Sequence, residues 1–299
     1  MGTLVRITVV GSGQEEGHRA MQAGFNAIKH LERLLSTWNT DSELSHVNAE
    51  AGHQPVQVSR ETMAVVLRSL EMAELTDGRF NIALGPAVEA WSVMDRQHIP
   101  TAEELERLKP LVDWTRIQVN QEARTIYLPR AGMRIDVGGI GKGYAADRAV
   151  EEMKRVGAKG GVVALSGDIK AFGVLPQSDG FPVGIRHPRQ DDELIALIDL
   201  KDEAISTAGD YERFFERDGI RYHHILDSQS LQPARRCQSV TIIAKEGIVA
   251  DGLDTGIFVL GPEIGMALVE RLPHVEAIIV DSDGHVTVSS GIRDRLRAP

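Results

Sequence analysis

In Asp136-Val137-Gly138-Gly139-Ile140-Gly141-Lys142-Gly143-Tyr144-Ala145 a strand-like segment ends in an acid, runs through four glycines within six residues, and reaches a lysine where a helix begins. Two familiar nucleotide motifs come close to this chain and neither fits. A Walker A loop would need glycine at Asp136 and a hydroxyl after the lysine, where Gly143 stands. A strand leading into Gly11-Ser12-Gly13 invites a dinucleotide fingerprint, but its third glycine would fall on Glu16, an acid placed where a pyrophosphate should sit. A doubly wound parallel sheet loses its signature with both. Bare amides at a helix start suit a phosphate, and missing side chains let another segment come close; the glycine spacing serves either purpose.

On both sides of this stretch the pattern favours strands in runs. Residues 117–119 and 125–128 alternate around Asn120-Gln121-Glu122-Ala123, a hairpin expected to return through Met133-Arg134-Ile135-Asp136. A helix is expected over 140–156. Residues 162–165, 169–172, 183–185, 194–198, 222–226 and 239–244 then read as strands, followed by helices near 248–260 and 262–272 and a last hairpin within 275–289. Toward the N-terminus, residues 4–10 read as a strand and 15–35 as an amphipathic helix with Ala23, Phe25, Ile28, Leu31 and Leu34 or Leu35 facing inward. Ser59 is expected to cap a helix running to about Leu75, and Thr101 with Glu104 to form a capping box for another. Helices grouped between runs of strands predict an α+β fold, with mixed or antiparallel sheets and helices packed on them.

The composition agrees with a globular chain: 299 residues, 42% hydrophobic and 25% charged, without repeats or a linker-like break. Asp+Glu 43 against Lys+Arg 33 leaves a formal charge of −10, which argues against a nucleic-acid or anionic-membrane partner. Cys237 is the only cysteine, so disulfide frameworks and cysteine-based metal clusters are excluded. No apolar run approaches the ~18 residues of a membrane span. Met1 leads straight into a strand without a signal-like region, so the chain is expected to be soluble as given, or to have had a leader removed.

Chemistry is concentrated in Ala250-Asp251-Gly252-Leu253-Asp254-Thr255. On a helix, Asp251 and Thr255 stand four apart on one face and form a hard-oxygen pair of the kind magnesium takes. The alternative is that Asp251 caps the helix and Thr255 is an ordinary helical residue. Asp254 reads as a solvated charge or a supporting partner. In His223-His224-Ile225-Leu226-Asp227, His224 is a candidate general base, or a structural histidine hydrogen-bonded beside Asp227. His223 alternates to the opposite face.

Taken in order, these segments resemble the FAD:protein FMN transferase (ApbE) family over nearly the whole chain. The motifs are Ser36-Thr37-Trp38-Asn39 with Asp41-Ser42-Glu43-Leu44-Ser45, Gly78-Arg79-Phe80-Asn81 with Leu84-Gly85-Pro86, and the Asp136–Ala145 stretch. They continue with Ser166-Gly167-Asp168-Ile169, Gly209-Asp210-Tyr211-Glu212-Arg213, His223–Asp227, and the Asp251–Thr255 pair. The resemblance implies an ApbE-like, T-fold-like architecture in a single domain over 1–299, either as one body or as two lobes with the FAD site between them.

It also implies FAD as substrate and Mg2+ at its pyrophosphate. The FMN moiety would pass to a threonine or serine hydroxyl of an acceptor protein, releasing AMP. By the same resemblance, Gly139 (through its carbonyl), Asp251 and Thr255 hold the metal, while Met1, Trp38, Phe80, Asn81, Asp136, Lys142 and Leu226 fall on or beside positions that contact FAD. Other readings are a metal-dependent FAD pyrophosphatase and a flavin-binding protein without turnover. Export, to the periplasm or on a lipid anchor, is the localisation the resemblance implies for a full-length form; cytoplasmic is the alternative. Three departures stand out. Trp38 replaces a frequent tyrosine, Asn81 replaces a common aspartate, and Asp227-Ser228-Gln229-Ser230-Leu231 lacks the proline and glycine of the usual turn, which must therefore take a different shape.

Overall fold

Residues 3–11 and 13–299 are described by the computed structural model. Seven strands, Val5–Val10, Gly160–Leu165, Asp168–Phe172, Ala204–Gly209, Cys237–Ala244, Val275–Asp281 and Val286–Val288, lie in that order from edge to edge of one sheet. Every neighbouring pair is antiparallel, so the expected α+β class with antiparallel pairing is what the chain forms. One connection shows how helices enter without making the sheet parallel. After Cys237–Ala244 the chain runs back along the helix Gly247–Leu260 and out again along Pro262–Val269, and two successive helices return it antiparallel.

Alternation along the strands divides the interior in two. Ala204, Ala208, Val240, Ile242, Ala277 and Ile279 belong to the core under the helices, whereas Ile205, Ile243 and Ile278 belong to a second cluster on the other face. The helices Gln14–Leu35, Gly141–Arg155 and Gly247–Leu260 cover the first face. A hairpin of Phe181–Arg186 and Leu194–Leu200 covers the second with Phe181, Ile185, Ile198 and Leu200.

The first helix buries Ala20, Gly24, Ile28, Leu31 and Leu35. Phe25 and Leu34 pack against the same core as expected, and Gly24 joins the stripe because a side chain there would meet Ile7 and Met153 within 3.1 Å. Ser59 and the Thr101–Glu104 box cap their helices as expected.

The expected strand 222–226 is found as Ile220–His223, paired with an unexpected strand Phe214–Arg217, and two further differences have a plain physical cause. Residues 133–136 run extended but pair with no strand; the hairpin's third member is Val56–Gln57. Their backbone groups are satisfied otherwise: the buried Asn48 exchanges hydrogen bonds with Ile135 in both directions, at 2.7 and 2.9 Å, and Asp136 N–H donates to the Ile82 carbonyl at 2.8 Å. The central strand Ala204–Gly209, Ala-Ile-Ser-Thr-Ala-Gly, carries few large side chains and no strong strand signature. Its small residues face the Gly247–Leu260 helix, which packs directly over it.

Candidate active site

A cleft of about 520 Å³ opens at one end of the sheet. It is lined by all the described residues singled out from sequence: Trp38, Phe80, Asn81, Asp136, Gly139, Lys142, His224, Leu226, Asp251 and Thr255. Met1 lies outside the described residues. These positions span 218 residues of sequence, from Trp38 to Thr255, and meet because the Gly141–Arg155 and Gly247–Leu260 helices start side by side on the same sheet face.

Close contact between those two helices is what Gly143 provides. A Cβ there would stand 2.1 Å from the Gly247 carbonyl oxygen and 2.8 Å from Asp251 Cβ. With the side chain absent, Gly143 N–H donates to Asp251 Oδ2 at 2.8 Å. Gly139 is different. A Cβ there would stand 3.1 Å from Thr255 Oγ1 and 3.4 Å from the Phe80 ring, filling the space in front of the hydroxyl. One glycine of the loop thus serves packing, and another leaves space in front of the Thr255 hydroxyl.

Asp251 and Thr255 share a face of the Gly247–Leu260 helix, but Asp251 does not cap it. The helix begins four residues earlier, and its first amides, Gly247 and Ile248 N–H, donate to the Asp147 carboxylate of the neighbouring helix at 2.8 and 3.0 Å. Asp251 is 1% exposed and Asp254 2%, which overturns the reading of Asp254 as a solvated charge. Ser206 Oγ lies 2.6 Å from an Asp168 oxygen and 2.5 Å from an Asp254 oxygen, and Thr255 Oγ1 donates to Asp254 Oδ1 at 3.0 Å. Lys142 Nζ donates to Asp168 and lies 3.4 Å from Asp251 Oδ1.

Three buried carboxylates therefore face one ammonium. Burial works against the Lys142 charge, but Asp168, Asp251 and Asp254 outweigh it and raise its pKa. Burial and the neighbouring Asp168 charge push Asp251 up, and burial with the Asp251 charge pushes Asp254 well up. An excess of negative charge in low dielectric is costly unless a cation or protons compensate it. Carboxylate oxygens of Asp168, Asp251 and Asp254 lie within 4.8 Å of one another. Thr255 has spent its proton on Asp254, so its oxygen turns lone pairs to the space left by Gly139. An all-oxygen, net-negative donor set of this kind fits a hard divalent cation such as Mg2+. Ser206 was not singled out from sequence, and Asp168 stood there only within the Ser166–Ile169 motif, with no role of its own.

The opposite wall is made by the segment after the strand Ile220–His223. His223 points into the core: its Nε2 donates to the Ala234 carbonyl at 2.7 Å and its Nδ1 accepts from Ile225 N–H at 3.3 Å. His224 points to the cleft, half-buried in its wall. Its Nδ1 lies 3.3 Å from the Arg213 carbonyl, which can only accept, so Nδ1 carries the proton and Nε2 keeps its lone pair. Burial first, and the neighbouring His223, Arg213 and Lys142, lower its pKa to about 3. The sequence argument that an imidazole titrates near neutrality is thereby corrected, and this one is neutral throughout the ordinary pH range. It is also not hydrogen-bonded to Asp227, whose carboxylate accepts from Arg79 Nη1 at 3.0 Å and from Gln229 N–H at 2.9 Å.

The remaining residues shape the cleft. Trp38 is 85% exposed at its rim, offering a flat apolar face, and Phe80 forms buried floor. Asn81 accepts from Ala83 N–H and donates to the Val112 carbonyl, both at 2.7 Å. An aspartate could not donate the second bond, which explains the amide. Asp136 folds back to accept from Gly138 N–H at 2.7 Å, shaping the glycine loop.

The profile of the ApbE family matches residues 1–279. A FAD:protein FMN transferase of Treponema pallidum is 36% identical over 99% of this chain and 87% of its own length, and one of Klebsiella pneumoniae is 33% identical over 96% and 84%. Among solved structures, the ApbE protein of Thermotoga maritima superposes with a TM-score of 0.92 at 31% identity, covering 99% of this chain and 96% of that one. The flavin transferase ApbE of Vibrio cholerae gives 0.87 at 28% identity with the same coverages. Motif order, cleft and whole-chain likeness agree, and the chain belongs to the ApbE family.

Proposed function

We propose that the protein is a magnesium-dependent FAD:protein FMN transferase. The observation that carries this reading is the cleft itself, where a net-negative oxygen cluster on one wall faces a neutral, oriented imidazole on the other. In the reaction, an acceptor threonine or serine oxygen attacks the phosphorus of the FMN half of FAD. The bond from that phosphorus to the bridging oxygen breaks, and AMP leaves with the electron pair. Asp251, Thr255 and the Gly139 carbonyl would hold the metal, which supplies positive charge against the pyrophosphate as negative charge builds there.

The protein's own residues do the rest. His224 Nε2 takes the proton of the attacking hydroxyl, with Nδ1–H anchored on the Arg213 carbonyl so that the ring cannot turn. Lys142 keeps the carboxylates of Asp168 and Asp251 close without neutralising all of them, leaving net charge for a divalent ion. Asp254 orients the Thr255 oxygen by accepting its hydrogen bond. Trp38 and Phe80 offer the apolar surfaces on which a flat ring stacks.

Incubation with FAD, Mg2+ and an acceptor carrying a candidate threonine, followed by intact mass, tests the reading. An acceptor heavier by one FMN unit, with AMP released, is expected. Free FMN and AMP without an adduct would make the protein a pyrophosphatase, and unaltered FAD would make it a binding protein.

A further inference from the structure

The 227–231 turn, which lacks proline and glycine, is held by contacts from across the cleft. Arg79 Nη1 donates to Asp227 Oδ1 at 3.0 Å, and Ser228 Oγ donates to the Gly78 carbonyl at 2.7 Å. Both bonds tie the turn to the 78–81 loop, 148 and 150 residues away in sequence. Arg79 and Asp227 are mostly shielded, with 22% and 27% of their side chains exposed, so the pair is poorly screened by water. Arg79 reaches this position at a cost: its Nε is the one buried side-chain nitrogen or oxygen without a hydrogen-bond partner among the described residues. Phe80, the next residue, lines the cleft floor, and on the other side Asp227 is only three residues from His224.

Backbone bonds hold that four-residue segment to residues 232–234, with Ala234 N–H donating to the Ile225 carbonyl at 3.0 Å and Asp227 N–H to the Gln232 carbonyl at 2.8 Å, and two further contacts anchor its ends. At the first, His224 N–H donates to the Arg213 carbonyl at 3.1 Å. At the second stands the Arg79–Asp227 pair. We infer that Arg79 is a positioning residue: through Asp227 it fixes the segment bearing His224 and Leu226 at its working distance from the Phe80 and Thr255 side of the cleft. The inference rests on the transferase reading for its catalytic consequence, but the clamp itself is testable without turnover.

Arg79→Met removes the pair, and Asp227→Asn takes away its charge and leaves only an amide oxygen as acceptor, while Ser228 and Gly78 stay in place. Amide exchange at Gln229 and Leu231 in the ligand-free protein should quicken in both, and the His224 ring resonances should shift. FMN transfer should fall by about tenfold or more in kcat with FAD affinity within about threefold, because positioning is lost rather than a ligand contact. Arg79→Lys, which keeps a donor within reach of Asp227, should recover part of the rate. The double variant should be no worse than either single, as for two residues acting through one contact.

Several results would overturn the inference. Additive losses would separate the two residues, and a fall in FAD affinity with kcat unchanged would make Arg79 a direct ligand contact. Unchanged exchange and unchanged His224 resonances would remove the clamp. Should a single variant fail to fold, the Lys variant and its exchange rates decide. Wild-type protein that transfers nothing, yet shows the exchange and resonance changes on substitution, would sink the transferase reading and leave the clamp standing.

Discussion

The two walls of the cleft are built by different means. The carboxylate wall stands on the Gly141–Arg155 and Gly247–Leu260 helices over the sheet, where glycines bring backbone against backbone and each acid is paired inside the core. The His224 wall is an extended segment and a turn, with Leu231 at φ 58° and a half-buried ion pair for support. The first wall concentrates charge, which needs burial and a dense scaffold. The second presents one neutral ring, which needs only a fixed direction. Rigidity is therefore spent where electrostatics demand it, and the wall facing it is held by a few long-range contacts.

Substitutions should divide along that line, beginning with the largest effect. Asp251→Ala should lose at least about 10³-fold in metal-dependent transfer, since the pyrophosphate charge would be left uncompensated. The fold should survive. In wild type, Mg2+ should raise the melting temperature by relieving the buried negative charge, and in Asp251→Ala most of that rise should vanish. Equal Mg2+-induced shifts in the two proteins would take Asp251 out of the metal site.

On the other wall, His224→Asn should cost about two orders of magnitude in rate at nearly unchanged FAD affinity, the low end for positioned proton transfer, because an imidazole held near 3 is a weak base. With the folded-state pKa near 3 and an unfolded value near 6.5, His224 is unprotonated in the folded protein above pH 5. The wild-type rate should not inflect through this group between about pH 5 and 8 and should be lost only as pH falls toward 3. The same depression has a stability consequence. Its contribution is fully present above about pH 6.5 and is lost as pH falls through the folded value, because the unfolded chain binds the proton first. A rate inflection near pH 6.5 that disappears in His224→Asn would show that the ring is far more hydrated than the cleft implies.

Gly143→Ala tests the scaffold of the first wall. Its Cβ would meet the Gly247 carbonyl at 2.1 Å, so the helices must part, at a cost of about 1–3 kcal/mol or more, and the amide bond to Asp251 must stretch. Loss of stability and loss of Mg2+ response should appear together; a stable Gly143→Ala protein with normal response would refute the close-packing account.

The smallest effect is a difference of about 1 kcal/mol between two variants at Leu231, and it is also the most specific. Leu231 is fully buried against the cluster that holds Trp91, while its backbone is in the left-handed region that favours glycine. Leu231→Ala should lose about 2–5 kcal/mol, the range for a buried leucine truncation. Leu231→Gly should lose about 1 kcal/mol less than Ala, since glycine is released from the strain that alanine retains. This reverses the usual order of the two residues, and urea titration of the pair checks it.

Much of this site was legible in residue order. Asp251 and Thr255 four apart, the glycine loop ending in Lys142, and the His223–His224 alternation are local patterns, and helix or strand geometry alone carries such residues to one face or opposite faces. Strands and helices with a strong period were legible for the same reason. Ala204–Gly209 was not, because its small residues answer to the helix above it and not to a strand preference. Residues 133–136 read as a strand, yet Asn48, 87 residues from Ile135, supplies their hydrogen bonds.

By itself the sequence determined the α+β class, the family motifs and the side chains that bear the chemistry, since these depend on periodicity and on residue type. Only the tertiary structure decided which charges share one low-dielectric pocket. Asp254 became buried, Asp168 joined Asp251, His224 turned from a titrating imidazole into a neutral one, and Arg79 found Asp227. Each of these follows from burial and from contacts between segments far apart in the chain, and desolvation and pairing have no value until the fold sets the distance between groups.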